Sequence, residues 1–113
     1  MSTIDNRTDL EKGLKIGIVD IEATGLDADY DELVCACIKT VNPGDNNGPI
    51  WTVRVDDKRN PKLLTDKWAV KTLIEEMNTY DLLIGWYSSG YDFPFINAKA
   101  LEHGLIPPKK NYR

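Results

Sequence analysis

Two carboxylates one residue apart, Asp20 and Glu22, are the first feature of this 113-residue sequence able to do chemistry. They lie in residues 15–26, KIGIVDIEATGL, behind the apolar run IGIV. Such a run suits a strand buried on both faces. Side chains alternate along a strand, so Asp20 and Glu22 share a face with Ile16 and Ile18, and Ile21 turns to the other. Neighbouring acids repel, and their desolvation is costly unless something compensates it. A hard divalent cation such as Mg²⁺ relieves both problems, because it prefers carboxylate oxygens. A solvated pair at a strand end is the plainer alternative for a bare D-x-E. The Gly25 that follows lets the chain turn sharply and bring its backbone close to a bound group.

A third acid, Asp92, falls just past the apolar segment LLIGW (82–86) and the loop YSSG (87–90), at the head of a helix expected over about 92–103 and ended by Gly104. A helix N-terminus favours a carboxylate over its neutral acid. An ordinary N-cap is the alternative for Asp92 alone. In open α/β sheets, however, ligands bind at the carboxyl ends of the strands, where all three acids are expected. Three acids converging there without a cation would be strongly unfavourable.

The elements that must hold these acids follow from periodicity. Residues 33–41 (LVCACIKTV) and 50–55 (IWTVRV) are expected as strands, separated by the turn cluster NPGDNNG. Short loops make the first three strands antiparallel. Trp68, Ala69, Val70, Leu73, Ile74 and Met77 recur at helical spacing, with Thr65 or Asp66 to cap the start. A strand and a second helix follow. The order is that of a mixed α/β domain, with the first strand central and the fourth parallel beside it.

Composition sets the outer bounds. Hydrophobic content of 42% and charged content of 28% suit one globular domain, here residues 13–113 behind a polar leader, 1–12. No stretch is long and apolar enough to span a membrane or to read as a signal peptide. Cys35 and Cys37, spaced i, i+2 without further zinc-type ligands, read as reduced core cysteines of a cytoplasmic protein. Asp27, Asp29, Asp31 and Glu32 read as a solvated acidic loop, and His103 as a helix-end residue. A net charge of −4 argues against a plain duplex-coating module. It leaves room for an enzyme whose acidic centre holds metal ions that meet the phosphate.

Residues 16–26 resemble the first motif, D-x-E followed by T-G-L, of the DEDD 3′–5′ exonucleases. Residues 84–96, IGWYSSGYDFPFI, resemble the second motif of the exonuclease domains of family B DNA polymerases and related stand-alone nucleases. The resemblance implies an RNase H-like fold and two-metal phosphodiester hydrolysis with Mg²⁺ or Mn²⁺. It implies that Asp20, Glu22 and Asp92 bind metal. Thr24, Gly25 and Leu26 would meet the terminal nucleotide of a single-stranded DNA or RNA 3′ end. Tyr87 stands where the family usually has Asn, in a position that contacts substrate. The family also uses a fourth acid, preceded by Tyr or His, on a later helix. No Asp or Glu follows His103, so the chain is expected to be the N-terminal portion of such a domain, lacking the final motif-bearing helix. A second chain or segment would complete the site. The competing expectation is a catalytically inactive truncated relative that binds nucleic acid or a protein partner.

Overall fold

In the computed structural model, the described residues are 14–25, 31–41, 48–61, 65–85 and 92–109. Four strands form one sheet: β1 (Ile16–Ala23), β2 (Leu33–Val41), β3 (Ile50–Arg54) and β4 (Leu82–Gly85). The helices are α1 (Lys67–Met77), between β3 and β4, and α2 (Asp92–Glu102), after β4. The sheet order is β3-β2-β1-β4. β1 and β2, like β2 and β3, pair antiparallel, while β4 runs parallel to β1. This is the mixed α/β arrangement that the element order led us to expect, with β1 inside the sheet, and it is consistent with the RNase H-like fold that the resemblance implies. The expected leader lies outside the described residues, as does most of the NPGDNNG turn.

Alternation along the strands decides which face is covered. Val19 and Ile21 of β1, Ala36 and Ile38 of β2, Val53 of β3 and Leu83 of β4 are buried in one core cluster. Ala69, Val70, Leu73, Ile74 and Met77 of α1 join it, with Phe93, Phe95, Ile96 and Ala100 of α2. The helical and strand periods thus meet on one side of the sheet. Gly17 sits on that side where packing leaves no room for a side chain: a Cβ there would come within 2.7 Å of the Tyr80 ring and of Ile38. Tyr80 follows α1, and its hydroxyl lies 3.3 Å from Thr40 Oγ1. Next to it, the Lys15 amide donates to Asp81 Oδ2 at 2.7 Å and the Asp81 amide donates to Lys15 O. These bonds tie the start of β4 to the start of β1 and fix the parallel register, Ile16 opposite Leu82.

The second helix ends as its sequence requires. Gly104 has φ of 69°, a left-handed conformation that glycine adopts without Cβ strain. Leu105 N–H then donates back to Ala100 O.

Candidate functional site

Asp20 and Glu22 lie on the sheet face opposite the helices, and both are exposed. β2 and β3 extend that face: Asp20 is opposite Cys37 and then Thr52, and Glu22 is opposite Cys35 and then Arg54. These six side chains line a shallow depression of about 360 Å³. β4 pairs with β1 only as far as Val19 opposite Gly85. The acids therefore sit beyond the described end of β4, at the carboxyl end of β1. At the same end β1 is irregular. Ala23 pairs with Leu33 although Glu22 pairs with Cys35, so Val34 is an extra residue in β2. A bulge of this kind twists the strand locally and re-aims the side chains beside it.

The electrostatics of this face are negative. Among the described residues, neither the Asp20 nor the Glu22 carboxylate has a hydrogen-bond or ion-pair partner. Arg54 is close enough to line the same depression, but its guanidinium is committed to Asp56, at 2.9 and 3.2 Å. Cys37 registers the field: burial, then the charges of Asp20, Cys35 and Glu22, push its thiol above the ordinary range. It is therefore a protonated thiol at neutral pH, unsuited to nucleophilic attack. The two cysteines share a face, as their spacing requires. They are not core residues, however: both are half-buried beside the acids, because the helices cover the other face.

The remaining expected site residues fall differently. Asp92 is the first residue of α2 and only 4% exposed. Among the described residues, no group of three or more His, Cys, Asp or Glu side chains is arranged to hold a metal ion. Asp20 and Glu22 fit a hard cation by donor type, as two neighbouring carboxylates on one open face. Asp92 is not grouped with them. Thr24 is engaged within the protein: its hydroxyl donates to Asp31 Oδ1 and accepts from the Glu32 amide, each at 3.0 Å. A Cβ on Gly25 would lie 2.5 Å from Asp31 Oδ2, so glycine there makes room for that carboxylate. Leu26 and Tyr87 lie outside the described residues.

A second cluster of charge, unannounced by any motif, lies on the helix face. Asp66, just before α1, is fully buried, yet it makes no side-chain cap; the Lys67 amide bonds instead to Thr65 Oγ1 at 3.2 Å. Asp66 Oδ2 accepts from the Leu33 amide at 2.8 Å and lies 3.2 Å from Lys99 Nζ. Its Oδ1 lies 2.6 Å from His103 Nε2. Lys99, 1% exposed, also reaches Glu102, Asp31 O at 3.2 Å and Glu32 at 3.7 Å. Burial pushes Asp66 upward, but its bonds to Leu33, His103, Glu32 and Lys99 outweigh that and hold it below the usual carboxylate range. Burial likewise pushes Lys99 down, and its bonds to Glu102 and Asp66 reverse the sign. Glu32 rises, through burial and then the neighbouring Asp66. Asp31 and Glu32 of the acidic loop are therefore docked at this end, not merely solvated, while Asp27 and Asp29 lie outside the described residues, and His103 does more than end a helix. The sequence held one clue. Lys99 shares a helical face with Phe95, Ile96 and Ala100, so a buried lysine needed a buried acid.

No family model and no curated protein matches the chain. Among solved structures it is similar to the family B DNA polymerase from the hyperthermophilic archaeon Pyrobaculum calidifontis, with a TM-score of 0.58 and 19% identity. The match covers 81% of this chain and 11% of that one, so the chain corresponds to a small part of the polymerase. At that identity the likeness is one of fold alone.

Proposed function

We infer that the chain belongs to a metal-dependent 3′–5′ exonuclease domain, acting on the 3′ ends of single-stranded DNA or RNA. The observation that carries this reading is the uncompensated pair Asp20 and Glu22, exposed at the carboxyl end of an inner strand. A fold similar to part of a DNA polymerase supports it. Mg²⁺ or Mn²⁺ held by these carboxylates would polarise the scissile phosphate and lower the pKa of a bound water. The protein's own part is to fix two hard ligands on a rigid strand. Asp92 would act from the head of α2, and Leu26 and Tyr87 would meet the terminal nucleotide. A further acid would come from another segment or a second chain. The free thiols suit a reducing, cytoplasmic setting.

One observation favours the alternative of a binding relative that does not cut: among the described residues no three His, Cys, Asp or Glu side chains are grouped to hold a metal ion. Digestion of a 5′-labelled single-stranded oligonucleotide in Mg²⁺ or Mn²⁺ separates the two. A ladder shortening from the 3′ end, absent with the Asp20→Asn, Glu22→Gln variant, supports the exonuclease. No cleavage, with oligonucleotide binding retained and Mn²⁺ affinity unchanged by Asp20→Asn, supports the binding relative; no cleavage with Mn²⁺ affinity lost in that variant marks a site that still needs its further acid.

A further inference from the structure

On the helix side of the same sheet end is a groove of about 270 Å³, lined by Asn60, Pro61, Thr65, Lys67, Trp68 and Lys71. Its floor is fixed. Asn60, 5% exposed, donates from Nδ2 to Val55 O at 2.8 Å and to Thr65 O at 3.4 Å, joining the end of β3 to the start of α1. Trp68 is half-buried, and the Arg59 guanidinium lies over its ring, 5.6 Å from the centroid. Arg59 is itself held by Asp57 at 2.8 and 3.0 Å, which neutralises its charge and keeps its plane in place.

The lysines are different. Lys67 and Lys71 are exposed, one turn apart, and among the described residues neither has an ion-pair partner. Lys67 opens α1, whose first turn holds no acid. A cation at a helix N-terminus opposes the macrodipole, so these residues do not serve the helix. They do concentrate positive charge beside an aromatic platform, on a chain whose net charge is −4.

We propose that this groove binds single-stranded nucleic acid, with phosphates on Lys67 and Lys71 and a base stacked on the Trp68–Arg59 platform. Backbone-tracking cations beside a flat aromatic surface are how proteins hold single strands without reading sequence. The location fits. Arg54, opposite Cys35 in the row that begins with Glu22, ends β3, and the chain then turns through 55–61 directly into the groove. A strand whose 3′ end lay at Asp20 and Glu22 would have its upstream nucleotides held around the β3 edge. This path rests on the exonuclease reading; binding in the groove does not require cleavage.

The test is fluorescence anisotropy of a labelled oligothymidylate in EDTA, with Asp20→Asn, Glu22→Gln as the parent so that nothing is cut. Adding Lys67→Glu and Lys71→Glu should weaken binding at least tenfold. It should also reduce the salt slope by roughly 1.4, at about 0.7 per lost phosphate contact. Lys67→Glu favours the α1 dipole, and an unchanged far-ultraviolet circular dichroism spectrum of the double variant excludes helix loss as the explanation. Trp68→Leu, which keeps an apolar side chain, should weaken binding about tenfold. Unchanged affinity and slope in the lysine variant would overturn the proposal, even if the digestion succeeds. Displacement of the oligonucleotide by polyglutamate at equal charge concentration would overturn it too, by making the groove a general polyanion site. A failed digestion together with unchanged Mn²⁺ affinity in Asp20→Asn, with these losses intact, would leave the groove standing and the exonuclease reading fallen.

Discussion

Two groups of acids occupy opposite faces of one sheet end, and the protein treats them in opposite ways. Asp66 is fully buried, and Lys99, His103 and the Leu33 amide surround it. Asp20 and Glu22 are exposed, and among the described residues no cation or donor meets their carboxylates. A buried charge left without partners costs several kcal/mol, about 3–5 in measured cases. The chain supplies partners where burial demands them and withholds them where water is present. Asp66 thus joins the residues before β2, the start of α1 and the end of α2, while the open pair stays in contact with water.

Substitutions can break this contrast, and Asp66→Ala should do so most severely. It leaves Lys99 buried beside a lost partner and should destabilise folding by about 3–5 kcal/mol in a urea titration. A loss below about 1 kcal/mol would make the cluster incidental. Lys99→Met should cost somewhat less, about 2–3 kcal/mol, because Leu33 and His103 still serve Asp66. Gly17→Ala should cost about 1–3 kcal/mol by forcing the Tyr80 ring and Ile38 apart, leaving the charge contrast unchanged.

The pH dependence sharpens the same point. Asp66 titrates below the ordinary carboxylate range, so its contribution is complete above that range, near pH 4, and is lost as pH falls through its folded value. Lys99 titrates above the ordinary lysine value; its contribution is complete below that value and lost on the alkaline side. Glu32 is raised, so its smaller effect has the opposite slope, weakening the fold as pH rises through its folded value. The drop in urea midpoint between about pH 6 and pH 3 should therefore be smaller in Asp66→Asn than in the parent. Equal drops would assign acid sensitivity to other groups. The smallest effect is expected at the open pair: Asp20→Asn with Glu22→Gln should change stability by no more than about 0.5 kcal/mol.

The sequence was most legible where one period dominates. The alternation that set Asp20 and Glu22 apart from Ile21 holds in β1, and the 3.6-residue stripe of α1 is its buried face. The parallel placement of β4 followed from the crossover through α1. What periodicity does not encode is which of two sheet faces the helices cover, so Cys35 and Cys37 were expected in a core that lies on the other side. Nor does it encode partners far apart in the chain. Asp66 looks like a cap because it precedes a helix, and only the fold reveals that α2 and the start of β2 converge on it. Thr24 and Gly25 carry a motif, yet their hydroxyl and missing Cβ serve Asp31.

If the exonuclease reading holds, the open pair binds a cation and the buried cluster does not. Calorimetric titration of the protein with Mn²⁺ tests it most directly, comparing the parent with Asp20→Asn. The parent should bind, and the variant, having lost a ligand oxygen, should bind more than about tenfold more weakly while remaining folded. Equal Mn²⁺ affinity in the two proteins would contradict it.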